Sequence, residues 1–333
     1  MNVKLMDCTL RDGANVVGKG FPSDLTEMML KGLTAANVPI IELGNAGGIG
    51  AYEVAGFTNA ETDADYLCVA KPFLNKSEIG MFLNAKRYRE NNIEVAKEAG
   101  LAFLRCGVDA GECQVAFEPV KAIKKRGMKA FYSAMKAYLL PPDKLAEEAK
   151  RLEDIGLDLF TIMDSAGTMT PDEAARYTEA IVKAVKIPVA FHGHNNMSMA
   201  LANAMAACQN GASVVDCGIM GMARSAGNIP TEVFVAYMQR LGLMQDVDLY
   251  ALLDCIDELA PVMKERYDYQ NSIPPFDLVL GISGAHSSFG KQFRAVAKEV
   301  GVPVYKLIIE VSKENRKNPN EDLMRAVANR IKA

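Results

Sequence analysis

The feature that most constrains the fold of this 333-residue chain is an alternation repeated eight times: a short run of β-forming residues, then a longer stretch with helical spacing. The β-like runs fall at Val3–Cys8, Pro39–Leu43, Ile79–Leu83, Leu101–Cys106, Met128–Ala134, Leu157–Met163, Ile187–Phe191 and Ser213–Cys217. Between them lie helical stretches at Ser23–Ala36, Thr62–Phe73, Arg87–Ala99, Val115–Arg126, Pro142–Ile155, Pro171–Lys186, Met199–Gln209 and Thr231–Leu241. Thr170-Pro171-Asp172-Glu173 reads as a helix start, and Gly100, Gly127, Gly156 and Gly211 each close a helix before the next strand. Eight such units spell a closed (β/α)₈ TIM barrel, an architecture of about 250 residues. The competing open, doubly wound sheet would carry a G-x-G-x-x-G after its first strand, and none is present. Residues 1–243 are therefore expected to form a TIM-barrel catalytic domain and 244–333 a helical C-terminal extension. Its helices are expected at Val247–Lys264, His286–Val300 and Asn320–Ile331, with Pro274, Pro275 and the Gly281–Gly290 run marking an irregular connection.

Composition narrows the function. A formal net charge of −4, with no basic run longer than Lys124-Lys125-Arg126, argues against a nucleic-acid surface. Seven cysteines without a C-x-x-C pair suit a reducing compartment. No leader-like segment and no apolar stretch of about 18 residues is present, so a soluble, cytoplasmic protein without membrane contact is expected.

Barrels place their chemistry at the C-terminal ends of the strands. The seventh run ends in V-A-F-H-G-H-N-N-M, and alternate residues of a strand share a face, so His192 and His194 project together. Two of the chain's three histidines are here. They are either a hydrogen-bonded pair or two thirds of a metal site, and Asp12, at the end of the first run, is the candidate third ligand. One carboxylate and two imidazoles leave coordination positions open for substrate, with Mn²⁺, Zn²⁺, Fe²⁺ or Co²⁺ all suited and Mg²⁺ less so. The other strand ends offer Arg11, the Gly-rich loop Glu42–Gly50, Arg105 with Asp109 and Glu112 as a salt-linked rim, Ser133 and Lys136, Asp164 and Ser165, and the Gly218–Asn228 loop with Arg224. Met197, Met199 and Met205 read as core filler.

These motifs, T-L-R-D-G, the Gly-rich loop, D-S-A-G, F-H-G-H-N-N and A-G-N followed by T-E, resemble in order those of the metal-dependent pyruvate aldolases. That group belongs to the barrel superfamily of 4-hydroxy-2-oxovalerate aldolase, 3-hydroxy-3-methylglutaryl-CoA lyase and isopropylmalate synthase. The resemblance implies Asp12, His192 and His194 as metal ligands, with Asn228 a further ligand or an amide bonded to one. It implies Arg11 as the arginine that stabilises an enolate oxygen. It further implies a divalent metal, Mn²⁺ foremost, and a 4-hydroxy-2-oxo acid cleaved to, or formed from, pyruvate and an aldehyde. Homo-oligomers and association with an acylating aldehyde dehydrogenase are also implied.

The chain departs from that pattern at three places. Asn15 stands where the hydroxyoxovalerate aldolases carry a histidine base, and an amide cannot take a proton at neutral pH. His286 stands before S-S-F where they carry a tyrosine, so it is either a replacement acid/base or a hydrogen-bonded surface residue. Asn45 and Gly47 replace a His and an Asp in the second loop, which suggests a different partner for the 2-oxo acid, with Asn45 and Ser165 as candidate substrate contacts. Lys136 offers a Schiff-base alternative to the metal. An acyl-CoA-dependent Claisen condensation and a catalytically lapsed, partner-binding homologue are the competing functions.

Overall fold

The computed structural model describes residues 2–55, 60–270 and 272–332. Eight parallel strands, β1 (Lys4–Asp7), β2 (Ile40–Leu43), β3 (Glu78–Asn84), β4 (Phe103–Asp109), β5 (Lys129–Met135), β6 (Leu159–Asp164), β7 (Val189–Gly193) and β8 (Val214–Cys217), close in sequence order into a barrel. Around it run α1 (Ser23–Ala35), the short α2 (Ala51–Ala55), α3 (Asp63–Ala70), α4 (Glu90–Glu98), α5 (Phe117–Lys125), α6 (Pro142–Glu153), α7 (Pro171–Ala184), α8 (Ala200–Gln209) and α9 (Thr231–Arg240). The Thr170–Glu173 start signal is a full capping box on α7: the Thr170 hydroxyl accepts from the Glu173 N–H, and Glu173 Oε2 accepts from the Thr170 N–H at 2.9 Å.

The two-residue period of each strand sorts its side chains into layers. Met6, Ile40, Phe103, Phe131, Leu159, Ala190 and Val214 turn inward as an apolar plug, with Phe103 and Phe131 stacked at 4.5 Å between ring centroids. Their neighbours Leu5, Ile41, Leu104, Phe191 and Val215 turn outward into the core under the helices. Two residues beyond each inward apolar position stand Cys8, Glu42, Arg105, Ser133, Thr161, His192 and Asp216, all fully buried. The apolar plug thus gives way to a polar layer just below the strand ends.

The C-terminal extension comprises α10 (Leu249–Tyr267), α11 (Pro275–Ser283), α12 (Gly290–Val300), α13 (Val304–Glu314) and α14 (Glu321–Lys332). The connection expected to be irregular contains α11, because Pro275 sits at the first helical position, where its fixed φ favours a helix. Helix α13 was not expected at all. Leu252, Ile256, Phe293, Val311 and Val327 of these helices join the same apolar cluster as the barrel's outer layer. Among the described residues no helix is long and apolar enough to cross a membrane, and all seven cysteines are free, Cys68 alone being exposed. Met205 is buried as expected, but Met197 and Met199 are 48% and 38% exposed, because they follow β7 in the loop rather than lying under a helix.

Candidate metal centre

The turn after β1 folds back on itself, with the Arg11 and Asp12 N–H groups donating to the Cys8 carbonyl, and this carries Asp12 across to the end of β7. Asp12 Oδ2 lies 3.6 Å from His192 Nε2 and 3.7 Å from His194 Nε2. The three ligand atoms are mutually within 4.8 Å, and all three residues are buried. Imidazole nitrogens this close to a carboxylate oxygen, but outside hydrogen-bonding distance, leave a gap that a divalent cation fits.

The surroundings prepare the ligands for that role. His192 Nδ1 faces Asp216 Oδ2 at 3.1 Å, which turns Nε2, without another partner, toward the gap; burial lowers the ring's pKa, but Asp12 and Asp216 outweigh it and raise it above the usual value. The pair shares one rung of the β7–β8 ladder. Asn228 donates from Nδ2 to Asp12 Oδ2 at 2.9 Å, while its buried Oδ1 is unpartnered. Burial works against the charge on Asp12, yet Arg11 and the two histidines hold its carboxyl well below the usual range. Burial, helped by neighbouring His192, pushes His194 down to about 4, so that ring is neutral and ready to bind at pH 7.

Beneath the ligands runs a buried ring of charge. Arg11 Nε donates to Glu42 Oε2 at 2.7 Å, and Arg105 Nε donates to Glu42 Oε1 at 2.7 Å. Arg105 also pairs through Nη1 with Asp216, which bonds His192, and Arg11 Nη1 pairs with Asp12 at 3.1 Å, leaving the ring open only at the gap between Asp12 and His192. Burial raises Asp216, but Arg105 and His192 together bring it down to about 2. Cys8, His192 and Asp216 also cluster closely enough for a cation. That second set does not fit one, because Arg105 occupies it: its Nη2 donates to Cys8 Sγ at 3.3 Å, and burial keeps the thiol protonated. The sequence placed Arg105 on a rim with Asp109 and Glu112. Only the latter two are there, paired with Lys136 and Lys86, whereas Arg105 is an inward residue of β4 and fully buried.

Glycine in D-S-A-G is a packing requirement. Gly167 has φ +59°, and a Cβ there would stand 2.5 Å from the His194 carbonyl oxygen and 2.7 Å from the Asn196 nitrogen. The same turn holds the ligand strand, since the Asp164 carbonyl accepts from the His194 and Gly167 N–H groups.

Above the centre opens a cavity of about 520 Å³, lined by Arg11, Asp12, His192 and His194 and by Lys19, Ala46, Gly47, Phe82, Asn84, Arg87, Asp109, Lys136, Ser165, Arg224 and Ser225, among others. Arg11 lies under the Phe82 ring at 5.1 Å and has a buried, unpartnered Nη2. Ser165 lines the cavity while its Oγ accepts from the Lys136 N–H at 2.9 Å. Lys136 is tied to Asp109 at 2.8 Å, and that pairing favours its charged form, which is unsuited to a Schiff base.

Three sequence candidates are placed otherwise. Asn45 is fully buried, donating to Asp63 Oδ1 at 3.0 Å and accepting from the Gly47 N–H, so its amide shapes the loop and does not face the cavity. Asn15 donates to the Asp12 carbonyl at 2.9 Å and accepts from Arg224 Nε at 2.9 Å. His286 is exposed, caps the turn Ser287–Phe289 by accepting from the Ser288 N–H, and does not line the cavity. Glu42 and Asp216 were overlooked as parts of the centre. The signal was available: each is a charged residue inside an otherwise apolar strand run, which burial forbids unless an opposite charge meets it.

The model of the HMGL-like family matches residues 2–258. Over 327 residues, 98% of this chain and 96% of its relative, the chain is 33% identical to the 4-hydroxy-2-oxovalerate aldolase of Carboxydothermus hydrogenoformans. It is 32% identical to 4-hydroxy-2-oxovalerate aldolase 2 of Rhodococcus jostii, over 99% of this chain and 95% of that one. Among solved structures it is similar to the N-terminal domain of a putative aldolase from Bacteroides vulgatus, with a TM-score of 0.67, 25% identity, and coverage of 87% and 99% of the two chains. Hydroxymethylglutaryl-CoA lyase from Pseudomonas aeruginosa shares the fold, with a TM-score of 0.69, 18% identity, and coverage of 85% and 98%. With the match running through all eight strands, this chain belongs to the HMGL-like family.

Proposed function

We propose that the chain is a divalent-metal-dependent carbon–carbon lyase of the aldolase type, cleaving or forming a 4-hydroxy-2-oxo acid. The observation that carries this reading is the convergence of Asp12, His192 and His194 at a cavity that is also lined by Arg11, whose buried Nη2 is unpartnered. Bound by these residues, a divalent cation supplies Lewis-acid stabilisation of the charge that develops on the 2-oxo oxygen. Arg11, held rigid by Glu42, Asp12 and Phe82, offers a preorganised donor for the same charge. Asn228 and Asp216 orient Asp12 and His192, and the apolar plug seals the floor against water. The Asn15 amide orients Asp12 and Arg224 and takes up no proton at neutral pH. Acid/base work by His286 requires the turn after it to leave its cap.

Two imidazoles and one carboxylate suit Mn²⁺, with Co²⁺, Mg²⁺ and Zn²⁺ as alternatives. Full-length likeness to the named aldolases supports 2-oxo acid and aldehyde substrates, and the motif resemblance alone adds a homo-oligomer and an acylating aldehyde dehydrogenase partner to the proposal. The test is pyruvate release from a panel of 4-hydroxy-2-oxo acids by metal-stripped protein and after each metal is restored. Metal-dependent release supports the reading, and no release with metal bound turns it toward acyl-CoA condensation.

A further inference from the structure

The cavity carries more positive charge than a 2-oxo acid requires. Arg11, Lys19, Arg87, Lys136 and Arg224 line it against two carboxylates, Asp12 and Asp109, in a chain of formal net charge −4. Arg11 is paired with Asp12 and Glu42, and Lys136 with Asp109. Arg87 and Arg224 have no carboxylate partner among the described residues.

Their placement is specific. Arg87 ends the turn Ala85–Arg87 after β3, and Arg224 lies in the loop after β8. In the closed barrel, β1 and β2 separate those strands, so Arg87 and Arg224 line the one cavity from loops on either side of those that carry Asp12 and Gly47. Between them the wall carries the small residues Ala46 and Gly47 together with Lys19, whose carbonyl accepts from the Ala46 N–H. Arg224, exposed at the rim, donates through Nε to the neutral Asn15 oxygen at 2.9 Å, which orients it without offsetting its charge. A planar guanidinium with free terminal nitrogens is suited to the paired oxygens of a carboxylate or phosphate.

We propose that this side of the cavity is an anion subsite for the acceptor half of the substrate: the aldehyde joined to, or released from, pyruvate carries a carboxylate or phosphate that Arg87 and Arg224 bind. The inference rests on the aldolase reading above. It departs from 4-hydroxy-2-oxovalerate, the compound in the relatives' names, which bears only a methyl group at that end.

The test is condensation of pyruvate by the Mn²⁺-loaded protein with propanal, glyceraldehyde, succinic semialdehyde and glyceraldehyde 3-phosphate. An anionic aldehyde should exceed its neutral counterpart in kcat/KM by about tenfold or more, equivalent to at least about 1.4 kcal/mol, and the two anionic arms decide between carboxylate and phosphate. Arg87→Gln should shrink that ratio toward one through the aldehyde KM rather than the pyruvate KM, and Arg87→Lys should restore part of it. Neutral aldehydes serving as well, a ratio unchanged in Arg87→Gln, or a loss falling on pyruvate KM with every aldehyde would each overturn the subsite. Metal-dependent product from no aldehyde at all would overturn the aldolase reading itself, and the subsite with it.

Discussion

Asp216 shows how much of a metal site can lie beyond its ligands. It touches no cavity, yet it orients His192 and anchors Arg105. Asp216→Asn keeps an acceptor for the ring N–H while removing the charge, and it should weaken metal binding about tenfold to hundredfold, read by titrating stripped protein with Mn²⁺. Unchanged affinity would make Asp216 a packing residue only. His286 poses the opposite case, a histidine at a suggestive sequence position whose ring is spent on a cap. His286→Gln is expected to retain most turnover while Asp12→Asn abolishes it; loss in both would mean that the C-terminal turn moves into the cavity during reaction.

At the scale of elements, β1 carries a charge that titrates with folding. Burial raises Asp7 to about 6 despite hydrogen bonds from Thr231 and Thr9, against about 3.9 for a free side chain. The folded state therefore binds the extra proton between those values, so this group's stabilising contribution is complete below about pH 4 and lost as pH rises through about 6. In Asp7→Asn the Thr231 hydroxyl can turn to accept, and the decline, on the order of 3 kcal/mol, should vanish from denaturant midpoints of stripped protein across that range. Gly167→Ala should displace the His194 backbone and weaken metal binding, with little change in helix content. The strands themselves were legible because hydrophobic runs and closing glycines agree, each run landing within about two or three residues of its strand. So was the meeting of His192 and His194, which a two-residue period sets on one face. The ring was not, since reading it requires knowing that Glu42, Arg105 and Asp216 lie at the same inward level of three different strands.

Across the whole molecule, barrel and extension behave as one body because they share an apolar cluster. At their seam α1 meets α10 so closely that a Cβ on Gly32 would stand 2.1 Å from Cys255 Sγ. Gly32→Ala should therefore destabilise by about 1–3 kcal/mol, and secondary structure and tyrosine fluorescence should melt together; separated transitions would show the extension to fold alone. The extension was the least legible part, since α11 and α13 lack the β-strand punctuation that delimits helices elsewhere. The buried ring has a consequence for ancestry. Its charges alternate from Asp12 through Arg11, Glu42 and Arg105 to Asp216, so losing an inner member strands its two neighbours in the dark, whereas exchanging an adjacent acid and base for an apolar pair removes one charge of each sign. Drift through these positions is thereby confined to paired steps, while the loops above, where Asn15, Gly47 and Arg87 stand, can change one residue at a time and carry the lineage to new substrates.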